Sequence, residues 1–216
     1  MGYLAKELIL TLQPKQLVLL NNNIINNTIM NRIFCLETEW DESIHDLKMK
    51  SSVLPLLNFV ENKYNLNVQY AFRQVATEID FEYYIEHLLE PSYKSYDFVY
   101  LCFHGSVSKI HFANGSYMSL KDFAGKYQGI FENRIVHFGC CCSLHNDGEV
   151  LSFKNETKAL MVTGFTKKVS FMESFIFEMW LLKKIKSHPQ YRSKRILELA
   201  EKEMPYYTKK LGFVAY

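Results

Sequence analysis

Residues 96–103 read YDFVYLCF, apolar at consecutive rather than alternate positions. A strand that is apolar on both faces must be covered on both faces, which is the situation of a parallel sheet held between two layers of helices. Shorter apolar runs at 32–37 (RIFCLE), 67–72 (NVQYAF), 134–139 (RIVHFG) and 160–164 (LMVTG) read as its companions. Segments with helical periodicity separate them. Val53, Leu56, Leu57, Val60 and Tyr64 form one stripe, behind Ser51 or Ser52; Phe81, Tyr84, Ile85, Leu88 and Leu89 form another, between Thr77 and Pro91. Leu120, Phe123, Ala124 and Tyr127 follow the capping pair Ser119 and Asp122, and Met172, Phe175, Ile176, Met179 and Trp180 follow Ser170 and Glu173. A last helix is expected over 193–204, stopped by Pro205, and a small hairpin around Asn114-Gly115. The alternation predicts an α/β three-layer sandwich with a mostly parallel sheet flanked by helices.

The chain has 216 residues, 48% of them apolar and 15% aromatic, enough for one well-filled core. Its net charge is only +2, and the basic residues are scattered apart from Lys183, Lys184, Lys186, Lys194 and Arg195, so nucleic acid is not an expected partner. Five cysteines, three of them consecutive, do not make a paired extracellular framework; reduced thiols and a cytoplasmic setting are the simpler reading. Near the N-terminus, residues 8–12 and 17–20 are apolar but too short to span a bilayer, so no membrane association is expected. The Asn-rich tract at 21–27 precedes Met30, which divides an N-terminal extension (1–29), or an upstream start, from a domain over 30–216.

Two strand ends carry chemistry. One run leads into His104 and Gly105, the other into Cys140, Cys141 and Cys142. In parallel sheets ligands bind beyond the carboxyl ends of the strands. A cysteine there attacks as its thiolate, an imidazole takes and returns the proton, and backbone amides at Gly105 and Cys141 offer an oxyanion site.

The order strand, His-Gly, hairpin, capped helix, strand, Cys resembles the caspase-like clan of cysteine peptidases, and within it the bacterial CHAT proteases. The resemblance spans roughly residues 32–186; its specific part is IHFANGSYMSLKDFAGKYQGIFENRIVHFGCCCS, residues 110–143, with His104-Gly105 ahead of it. It implies a caspase-like fold and a cofactor-free endopeptidase acting on a protein or peptide. Cys141 falls at the nucleophile's position and His104 at the base's, with Gly139 and Cys140 preceding the nucleophile. The family usually has Ala where Cys140 stands, which makes Cys140 and then Cys142 the next candidates. Such proteins often serve as bacterial defence effectors held back until a partner or ligand releases them. Glu37, Glu39 and Asp41 in the loop expected after the first strand, with Asp147 and Glu149 in a loop expected after the cysteines, suggest on charge that a basic side chain is accepted.

Two other readings stand beside this one. An α/β interaction module can keep the scaffold without the activity. A metal centre can be drawn from His137, Cys140, Cys142 and His145, although a continuous strand splays such ligands onto both faces. Cys35 and Cys102 lie within apolar runs and read as structural.

Overall fold

The computed structural model describes residues 30, 32–40 and 51–216. Residues 1–29 and Asp41 lie outside them. A six-stranded sheet forms the centre, built from β1 (Arg32–Thr38), β2 (Gln69–Val75), β3 (Phe98–Cys102), β7 (Ile135–Phe138), β8 (Met161–Phe165) and β9 (Phe213–Ala215) in the order β2-β1-β3-β7-β8-β9. The first five are parallel, and β9 pairs antiparallel with β8.

Alternation along the strands explains the layers, because successive side chains leave a strand on opposite faces. Phe34, Leu36, Val99, Leu101, Val136, Phe138 and Val162 pack on one face against α2 (Glu78–Ile85), α3 (Leu120–Lys126) and α4 (Asp147–Thr157). Ile33, Cys35, Phe98, Tyr100, Cys102, Ile135 and Met161 pack on the other against α1 (Leu54–Glu61), α5 (Phe171–Ser187) and α6 (Ser193–Glu203). The chain is thus α/β with a mostly parallel sheet flanked by helices, an arrangement compatible with a three-layer sandwich.

Local chemistry sets most boundaries. Thr77 and Asp80 close a reciprocal capping box at the start of α2, and Ser119 Oγ accepts from the Asp122 N–H at the start of α3. Three expectations are corrected. The segment after the cysteines is not a loop: Asn146 caps α4, which buries Val150, Phe153 and Thr157 at helical spacing. Pro205 stops one helix only to open another, α7 (Pro205–Leu211), because a proline costs nothing in a first turn. In α5 the buried side is Ser174, Phe177, Glu178, Leu181, Leu182 and Ile185, whereas Met172 and Ile176 are exposed. Between Phe171 and Leu182 only Glu173, Ser174 and Glu178 are polar, so periodicity alone did not set its phase. Tyr64 and Leu89 also fall outside their helices and are exposed.

Candidate active site

The last residue of β3 is Cys102, and after Phe103 the chain forms a short strand, β4 (His104–Ser106), instead of a loop. That strand pairs antiparallel with β5 (Lys109–His111), which pairs with β6 (Tyr117–Ser119). The small sheet holds His104 opposite His111, whose Nε2 lies 2.6 Å from Ser106 Oγ. Burial, and then Lys109 and His104, push the His111 imidazole below its ordinary pKa. His104 itself is exposed, its ring edge-to-face with the Trp40 indole at 4.8 Å between centroids; Phe171 meets the same indole at 5.0 Å.

Beyond the neighbouring strand, β7, come the three cysteines. Gly139 N–H donates to Leu101 O at 2.9 Å and Cys142 N–H to Lys167 O at 3.1 Å, which pins the segment between β3 and the loop after β8. The turn places Cys142 at φ +57° and sends the three thiols to different surroundings. Cys140 is wholly buried in the aromatic core, donates to Leu101 O at 3.2 Å, and is pushed well above the ordinary thiol range by burial. Cys142 is half-buried, and burial raises it as well, followed by its neighbour Cys141. Cys141 is half-buried, 3.4 Å from Val169 N and 3.8 Å from Val169 O. The N–H can donate to a thiolate and the carbonyl can accept from a thiol, so both protonation states of Cys141 find a partner at Val169.

The two pieces meet at a glycine. A Cβ added to Gly105 would lie 2.2 Å from Cys141 O, 2.9 Å from Cys140 Cβ and 3.0 Å from Cys141 N. Only a residue without a side chain allows that approach. His104, Gly105 and Cys141 therefore sit along one seam at the carboxyl ends of β3 and β7.

The surface acids expected to line a pocket are not gathered there. Glu39 is exposed after β1, Asp147 accepts from the Tyr216 hydroxyl, and Glu149 sits exposed in the first turn of α4 where Asn146 caps it. Each helix-terminal acid serves its own helix. Nor do the four candidate metal ligands converge. His137 is buried, 2.9 Å from Thr163 Oγ1 and 3.2 Å from Glu178 Oε1, while Cys140 lies in the opposite core and His145 is exposed. Among the described residues no group of three His, Cys, Asp or Glu side chains is placed to hold a metal ion.

Two residues near the seam were not singled out from the sequence as part of a site, Trp40 and Glu178, and Glu37, expected in a loop with the surface acids, is buried within β1 instead. Glu37 closes β1 with a fully buried carboxylate whose Oε1 accepts from Trp40 Nε1 at 2.8 Å, Ser52 N and Oγ at 2.7 Å each, and Val53 N at 3.1 Å. The signal available was an acid inside an apolar run, a position where charge is costly unless used.

No helix among the described residues is long and apolar enough to cross a membrane. No curated protein matches the chain. A family model does match, over residues 30–216, and on that match the chain belongs to DUF6642, a family of unknown function.

Proposed function

We propose that this protein is a caspase-like cysteine endopeptidase, with Cys141 as nucleophile and His104 as base and acid. The observation that carries the reading is the seam at Gly105, where the backbone following His104 lies against the backbone of Cys141 with no room for a methyl group. In this mechanism His104 takes the thiol proton and Cys141 Sγ attacks the peptide carbonyl. The amides of Gly105 and Cys141 hold the oxyanion, and His104 returns the proton to the leaving amine. Water then attacks the thioester with His104 again as base, which frees the acid product and restores the thiol. No cofactor takes part. The burial of Cys140 and its bond to Leu101 O support Cys141 over its neighbour as the attacking sulfur.

One observation favours the non-catalytic module instead, namely that Val169 already engages the Cys141 sulfur. Labelling with thiol-directed peptide ketones separates the two. The peptidase reading expects modification at Cys141, lost in Cys141→Ala and slowed by roughly 100-fold or more in His104→Ala, the size of a general-base contribution. A Cys141→Ala protein that still cleaves peptides at the parent's rate overturns it.

A further inference from the structure

Two cavities differ in what they can hold. The narrow cavity beside Gly139 and Glu178 measures about 30 Å³, room for little more than a water. A larger one, of about 250 Å³, lies at the β2 edge of the sheet, with Phe34, Ala71, Arg73, Tyr84, His87 and Tyr93 among its walls. The strand sequences account for it. In the β1–β2 register Phe34 stands opposite Ala71 and Leu36 opposite Arg73, so a face that is bulky and apolar on β1 becomes a methyl group and a guanidinium on β2. Ala71 leaves unfilled the space enclosed by Tyr84 of α2, His87 of the turn Glu86–Leu89 and Tyr93 of the turn Pro91–Tyr93.

Aromatic rings make up most of the lining. Tyr83 and His87 meet at 72° with centroids 5.1 Å apart, His87 and Tyr93 at 76° and 5.5 Å, and Phe34 and Tyr93 at 82° and 5.9 Å. Rings set so steeply wall a space, where parallel ones would stack and close it. His87 Nδ1 lies 2.9 Å from Tyr83 O; a carbonyl only accepts, so Nδ1 carries the proton and Nε2 of the neutral ring is an acceptor. Arg73 is exposed at the wall, its guanidinium 5.9 Å from the Tyr84 ring centroid and its Nη1 donating to Phe72 O at 2.7 Å. Among the described residues no carboxylate pairs with it, and none lines the cavity. A tyrosine cage for an alkylammonium ion does not carry a guanidinium, which repels the cation. A flat ring, by contrast, stacks on tyrosine and imidazole, and an anion finds a matched fork of N–H donors on arginine.

We infer that this cavity binds a small flat aromatic ring carrying an anionic group, the ring held among Tyr84, His87 and Tyr93 and the anion by Arg73. A nucleoside monophosphate and an indole carboxylate share that chemistry. The site stands apart from the proposed peptidase chemistry, with β1 between β2 and the strand that leads to His104.

Titration calorimetry on the full chain tests it with adenosine 5′-monophosphate and indole-3-acetate, each beside its neutral counterpart, adenosine and indole-3-acetamide, and with ribose 5-phosphate as an anion without a ring. The expected result is saturation at a single site by one or both ring-bearing anions, the tighter of the two naming the source. The neutral counterpart binds about 10-fold more weakly, the size of one charge-assisted bond, and ribose 5-phosphate does not saturate. Arg73→Gln, at an exposed position, removes the difference between anion and counterpart, whereas Tyr84→Ala weakens both by about 10-fold or more. The inference is overturned if neither anion saturates, if a neutral counterpart matches its anion, or if ribose 5-phosphate binds as well as the ring-bearing anions. Parental preference for the anion in Arg73→Gln overturns it as well, by placing the bound anion elsewhere on the molecule.

Discussion

The two faces of the central sheet are built from the same strands and differ sharply in chemistry. On the face covered by α2, α3 and α4, the strands contribute Phe34, Leu36, Val99, Leu101, Val136, Phe138 and Val162, and the helices answer with Phe81, Phe123 and Phe153. Those rings meet edge to face, Phe123 touching Phe81 at 5.2 Å and Phe153 at 5.3 Å. On the other face the same strands bury Glu37, Tyr100, Cys102, His137 and Thr163, with Glu178 descending from α5. One face is arranged for cohesion. The other gives up apolar contact to hold groups that hydrogen-bond and titrate, and it is the face on which the narrow cavity lies.

Phe123→Ala strikes the cohesive face and carries the largest expected effect, about 3–5 kcal/mol, from lost burial and an unfilled cavity. Chemical denaturation checks it, and a loss below about 1 kcal/mol would erase the distinction between the faces. A smaller loss, about 1–3 kcal/mol, is expected for Glu178→Leu, which leaves the buried His137 Nε2 without its partner. Adding His137→Leu should recover much of that loss, since an apolar pair of similar volume often matches or exceeds a buried polar one. Failure of the double variant to recover would show that this polar pair is needed for packing as well as for chemistry.

The smallest effect is in pH. Burial holds Cys35, Cys102 and Cys140 above the ordinary thiol value of 9.0. A folded pKa raised above the unfolded one contributes stability that is full below about pH 9 and is lost as pH climbs beyond it, because the unfolded chain ionises first. Thermal midpoints should therefore decline above pH 9, less steeply in Cys102→Ala. Iodoacetamide at pH 8 should modify Cys141 well before these three in the native protein. Rapid alkylation of Cys140 under those conditions would contradict its burial.

The cohesive face was easier to read in the sequence because its information is local. Strand runs and the caps at Thr77 and Ser119 predicted their elements within a few residues. The helix Asp147–Thr157 escaped because its charged and polar residues outweigh the three that are buried; Asn146 followed by Val150, Phe153 and Thr157 was the pattern to follow. The true inner side of α5 escaped for the opposite reason. Its first part, Phe171 to Leu182, is so largely apolar that the buried Glu178 looked like the solvent side. His104 and Cys141 were legible as strand ends. The burial of Glu37 and the place of Trp40 were not, since they are set by Ser52, Val53, His104 and Phe171, partners remote in the chain.

Trp40 gives the seam a built-in optical reporter. The chain has two tryptophans, and the other, Trp180, lies on α5 with its indole N–H donating to Glu203. With Trp180 replaced by phenylalanine, indole emission would come from Trp40 alone, in contact with an imidazole whose protonated form quenches excited indole. The charge on His104 then becomes readable in a cuvette, with no substrate in hand.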